Sequence, residues 1–118
     1  MKIIDIVQLI EGKLLTFPNQ NINEKEYLKA FACDLMSDCL AYVNVDNCLL
    51  ITGLANQQAL RTAEMLDIDC IIFARGKKLS KEMLELAKEN NMTLIATQYT
   101  LFEVSGLLYQ AGILALKI

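Results

Sequence analysis

The sequence contains no histidine and no tryptophan, and it has a single proline. The missing histidine removes at once the side chain that titrates near neutral pH, the commonest general base and the commonest metal ligand. Positive charge is scarce too: 11 lysines and arginines against 14 aspartates and glutamates leave a net charge of −3. A chain with that balance has no electrostatic footprint for nucleic acid or for an anionic membrane. No apolar run approaches the ~18–20 residues of a membrane span. Asp5, Gln8 and Glu11 interrupt the N-terminal "MKIIDIVQLIEG", which does not read as a signal peptide. The expected location is the cytoplasm, where cysteines stay reduced.

What is present is apolar. Hydrophobic residues make up 54% of the 118, enough for one domain with its own core. Ile3, Ile6, Val7 and Ile10 fall at helical spacing, with Gly12 placed to end a short helix. "KLLTF" reads as a strand, "PNQNINEKE" as a loop, "EYLKAFAC" as a second strand and "DLMSDCLAYV" as a short helix with Asp34 or Ser37 as its cap. From Cys48 the pattern is regular. "CLLIT", "CIIFA" and "TLIAT" are short apolar strands, separated by the helices "NQQALRTAEMLD" and "SKEMLELAKEN" and followed by "YTLFEVSGLLYQAG". Ser80 should cap the second of these helices. Thr100 should cap the third, with Glu103 completing a capping box. Apolar strands alternating with helices predict an α/β layered sandwich with a largely parallel central sheet.

In such sheets ligands sit beyond the carboxyl ends of the strands. The candidate binding positions are therefore Thr52, Gly53 and Asn56 after the first strand, Arg75 and Gly76 after the second, and Thr97, Thr100 and Glu103 after the third. The basic run "ARGKKLSK" is short; it is either a solvated turn or a place for one phosphate group.

Catalytic constellations are absent from the sequence. Cysteines fall at 33, 39, 48 and 70, none paired at zinc-ligand spacing. Cys48 and Cys70 open apolar strands, where a thiol behaves as a small hydrophobe. Asp34 and Asp38 are four apart and can share a helix face, a pattern open to acid–base or cation chemistry or to simple capping and solvation. No phosphate loop and no nucleophile elbow occurs, and no cofactor is expected.

Three runs, "CDLMSDCLAYV", "CLLITG" and "CIIFARGKKLSKEMLELAKENNMTLIATQYTLFEVSGLLYQAGI", resemble the DRTGG domain family, related in fold to the N-terminal domain of HPr kinase/phosphorylase. The sequence departs from the family's naming signature. "GLANQQ" follows "LLIT" without an Asp-Arg pair, and "ARG" after "CIIF" keeps only Gly76. The resemblance implies a regulatory or dimer-forming module, found attached to some phosphotransacetylases and to pyrophosphatases that carry CBS domains. It also implies that Asp34, Ser37 and Asp38 of "DLMSD" shape the fold or a shared pocket.

Three functions follow as expectations. The first is a non-enzymatic regulatory module that self-associates as a homodimer, with the apolar tail "ILALKI" packing across the interface or docking on its own core. The second is a sensor of a small anionic ligand, nucleotide or phosphate, using the turns at Thr52, Arg75 and Thr97, with Arg75 pairing the phosphate. The third is a small metal-dependent enzyme built on Asp34 and Asp38.

Overall fold

The computed structural model describes residues 1–18 and 25–117. Most of the loop expected over residues 18–26, and the last residue of the tail, lie outside them. Among the described residues five helices and six strands follow in the order α1 (Ile3–Leu9), β1 (Lys13–Thr16), β2 (Lys29–Ala32), α2 (Met36–Tyr42), β3 (Cys48–Thr52), α3 (Gln57–Met65), β4 (Cys70–Phe73), α4 (Lys81–Glu89), β5 (Thr93–Ala96), α5 (Leu101–Gln110) and β6 (Leu114–Ala115).

The strands form one sheet in the order β1-β5-β4-β3-β2-β6. β5, β4, β3, β2 and β6 are mutually parallel; β1 runs antiparallel on the edge beside β5. The three apolar runs named above are the adjacent strands β3, β4 and β5. Every residue of β3 and of β4 is buried, as strands covered on both faces must be.

Alternation along those strands sorts side chains into two cores. Leu50, Ile71, Phe73 and Leu94 point toward α2, α3 and α4, against Ala59, Ala63, Met83 and Ala87. Leu49, Ile51, Ile72 and Ile95 point the other way, toward Ile3, Ile6 and Ile10 of α1 and Val104 and Leu108 of α5. The result is the expected three-layer sandwich. Cys39, Cys48 and Cys70 are buried in it and Cys33 is half-buried; none forms a disulfide. No helix of the described residues is long and apolar enough to cross a membrane.

Local sequence signals fix most helix starts. The Ser80 hydroxyl accepts from the Met83 N–H. Thr100 and Glu103 make the full reciprocal capping box. The Asn56 side chain accepts from the Ala59 N–H, so this candidate binding residue serves as the cap of α3. The expectation for α2 requires correction. Its cap is Leu35, with no side-chain cap bond; Ser37 lies inside the first turn, and Asp34 stands before the helix and is drawn elsewhere. Asp34 and Asp38 therefore do not share a helix face. β2 is also shorter than "EYLKAFAC": the segment before it pairs with the N-terminus, Glu26 bridging Lys2 and the Tyr27 N–H donating to the Met1 carbonyl, while the Tyr27 side chain is buried in the second core and donates its hydroxyl to Asp69.

Candidate functional site

The carboxyl ends of β3, β4 and β5 are stitched together by backbone bonds. The N–H of Ala74 donates to the carbonyl of Thr52 at 2.9 Å, that of Arg75 to Tyr99 at 2.8 Å, that of Gly76 to Thr97 at 2.9 Å, and that of Thr97 to Phe73 at 3.0 Å. The turns at Thr52, Arg75 and Thr97 thus form one continuous edge. Arg75 and Gly76 are consecutive left-handed residues, with φ of +66° and +65°. A non-glycine residue there carries a backbone cost tolerated only where surrounding structure holds it, and such residues gather at ligand clamps and turns with a role.

Asp34 joins this edge from the loop after β2. One carboxylate oxygen accepts from the Gly53 N–H at 2.7 Å and from the Thr52 hydroxyl at 3.2 Å. The other faces Nη2 of Arg75 at 3.5 Å. The Arg75 guanidinium lies directly over Gly53: a Cβ there would stand 2.1 Å from Nη2. The Arg75 and Asp34 side chains are about half exposed, at 48% and 49%, so this ion pair holds position more than it stabilises. Gly53→Ala is therefore expected to leave the fold intact, with stability changed by less than about 1 kcal/mol, while driving the guanidinium off Asp34. A crystal structure or the Arg75 side-chain NMR resonance reads the displacement; an unmoved Arg75 contradicts the contact.

Thr97 is buried and fully engaged. Its hydroxyl donates to the carbonyl of Ile10 at 2.7 Å and accepts from the Tyr99 N–H at 3.2 Å, tying the end of α1 to β5. Tyr99 donates its hydroxyl to Glu11, and that bond raises the tyrosine above its ordinary value. Asp38 is exposed in the first turn of α2 and does not reach the Asp34 cluster. Ser37, in the same turn and exposed, makes no hydrogen bond to that cluster among the described residues. Among the described residues no group of three or more histidines, cysteines, aspartates or glutamates has the geometry to hold a metal ion.

Beside Gly76 is a cavity of about 450 Å³ whose lining includes neither Arg75 nor Asp34. Gly76, Lys77, Lys78, Thr97 and Gln98 line it from the β4 and β5 turns, and Glu11 and Lys13 from β1 and the turn before it. Sequence reasoning reached Lys77 and Lys78 through the basic run but missed Glu11 and Lys13. Lys13 enters only because β1 runs antiparallel to β5 and sets Lys13 opposite Ala96.

A sequence model of the DRTGG domain matches residues 5–111. Over 97 residues the chain is 31% identical to the cobalt-dependent inorganic pyrophosphatase of Clostridium perfringens, an alignment covering 78% of this chain and 17% of that enzyme. The fold superimposes on the crystal structure of the CBS and DRTGG domains of the regulatory region of Clostridium perfringens pyrophosphatase, complexed with its activator diadenosine tetraphosphate. The TM-score is 0.76 at 21% identity, over 95% of this chain and 47% of that one. At that identity the likeness is one of fold. The chain spans about half of that regulatory region and a small part of the whole enzyme.

Proposed function

The chain belongs to the DRTGG domain family, and from that premise we propose that it is a regulatory module, without chemistry of its own, that senses a small phosphate-bearing ligand at the carboxyl edge of its sheet. One observation carries this reading. Arg75, Lys77 and Lys78 of the β4–α4 turn and Lys13 of β1 stand at the ends of β4 and β5, in a chain whose net charge is −3. Cations gathered at the ligand-binding edge of a parallel sheet favour an anion. The regulatory setting of the Clostridium perfringens relative, whose activator is a dinucleoside polyphosphate, points the same way.

The test is a thermal-shift panel of AMP, ADP, ATP, diadenosine tetraphosphate, an acyl phosphate and divalent metals. Ligand at a hundred times its dissociation constant adds ~2.7 kcal/mol, a rise on the order of ten degrees for a domain near this size. A rise with a phosphate-bearing compound supports the reading. A flat panel on folded protein sinks it, and a rise with metal alone revives the metal-dependent enzyme.

A second reading, self-association, is favoured by the far edge of the sheet. Phe102 and Tyr109 of α5 are 86% and 68% exposed and Leu114 of β6 is 59% exposed. Tyr109 and Leu114 border one apolar groove between α5 and the short edge strand. On this reading the chain sediments at twice its 13.2 kDa, and Tyr109→Glu returns it to monomer. A monomer at high micromolar concentration excludes it.

A further inference from the structure

The cavity beyond Gly76 has a composition that narrows the ligand. Lys13, Lys77 and Lys78 stand on its rim, all exposed, and among the described residues none lies within ion-pair distance of a carboxylate. The one acid in its wall, Glu11, is already engaged by the Tyr99 hydroxyl. Three ammonium groups against one carboxylate leave the rim cationic. The wall behind it is apolar, made by Leu15 of β1, Leu79 just before α4 and Leu84 in its second turn, all half-buried and packed on the same core. Gln98 adds an amide beside Gly76, close enough that a Cβ on the glycine would stand 2.4 Å from its Oε1. A volume of about 450 Å³ falls in the range of small-molecule sites.

A cationic rim over a single apolar wall is complementary to an anion carrying one flat hydrophobic group. We infer that this cavity binds one nucleoside phosphate, its phosphates on Lys13, Lys77 and Lys78, its base against Leu79 and Leu84, with the Gln98 amide available to a base edge. A dinucleoside polyphosphate carries two bases, and the cavity offers a wall to one. The inference rests on the sensor reading and adds its location and ligand class. It places the ligand in a cavity that Arg75 does not line, since the structure lays the Arg75 guanidinium over Gly53 toward Asp34.

The deciding experiment is isothermal titration of the chain with AMP, ADP and ATP, with inorganic phosphate and adenosine as partial ligands. The expected result is one site per chain for at least one mononucleotide, bound more tightly than phosphate or adenosine alone. Lys77→Ala/Lys78→Ala, two exposed changes that leave the fold intact by circular dichroism, should weaken that affinity at least tenfold, as should Lys13→Ala combined with Lys78→Ala. Lys88→Ala, in the last turn of α4, should leave it unchanged. Mononucleotide binding that survives both double variants overturns the cavity while the sensor reading stands. So does inorganic phosphate binding as tightly as any nucleotide, because the apolar wall would then play no part. Failure of all three mononucleotides also overturns the cavity; if the other phosphate compounds fail as well, the sensor reading falls with it.

Discussion

Replacing Phe73 by alanine is expected to remove about 3–5 kcal/mol of stability, a large share of the ~5–15 kcal/mol that holds a domain of this kind. Phe73 is the last residue of β4 and is fully buried, packed into the core shared by α3 and α4. Its ring has no route to solvent, so truncation leaves a cavity rather than a rearranged surface. The effect should appear as a lower urea midpoint with an unchanged slope, and as a fall of roughly 10–20 °C in melting temperature. The consequence reaches the binding edge. The Phe73 carbonyl accepts from the Thr97 N–H, and the Arg75–Gly76 turn begins two residues later. The stability that keeps β4 in place also keeps the turn in its left-handed conformation. A loss below about 1 kcal/mol would mean that the ring is not in the core.

Alkaline pH should produce the second large loss. Burial pushes the Cys48 thiol up to about 11 and, with the neighbouring Cys33 and Cys48 thiols adding to it, the Cys39 thiol up to about 12, from an ordinary 9.0. Cys70, fully buried beside Asp69, and the phenol of Tyr27, buried near Cys70 and hydrogen-bonded to Asp69, are raised as well. All four groups are neutral in the folded chain. Above pH 9 the unfolded chain releases its thiol protons while the folded chain keeps them, so unfolding becomes progressively easier as pH rises. Each buried thiol contributes its full stabilisation below the unfolded value and loses about 1.4 kcal/mol per pH unit above it, until its own folded value is reached. The summed loss by pH 11 is on the order of several kcal/mol. Urea midpoints from pH 8 to 11 should hold steady to about pH 9 and then fall, and Cys48→Ala should make the fall shallower. A midpoint constant to pH 11 would contradict the burial of these groups.

Much of the fold is legible in the sequence because its signals are local. β3, β4 and β5 are short apolar runs, and the caps Ser80 and Thr100 stand at the starts of α4 and α5, while Asn56, expected as a binding position, caps α3. Each needs only a few neighbouring residues to be recognised. What was not legible depends on distant partners. Asp34 has the side chain and position of a helix cap, yet its carboxylate is taken by the Gly53 N–H and the Thr52 hydroxyl, groups that reach it only once β2 lies beside β3. β1 has the same apolar look as the parallel strands, and nothing local says that it runs antiparallel on the edge of β5. For that reason Lys13 and Glu11 cannot be read from the sequence as lining residues, whereas Gly76 stands where the strand-end rule points. The tail is similar: Leu114 and Ala115 become a strand because Lys29 and Ala30 offer a free edge.

The central claim is that the carboxyl edge of this sheet receives a phosphate-bearing ligand, and amide NMR of the whole chain titrated with ADP tests it most directly. The account predicts saturable shifts concentrated at Gly76 to Leu79, Ala96 to Gln98 and Glu11 to Lys13, with α5 and β6 unmoved. Shifts confined to α5 and β6, or none at millimolar concentration with ADP or with any other phosphate compound of the thermal-shift panel, would contradict it.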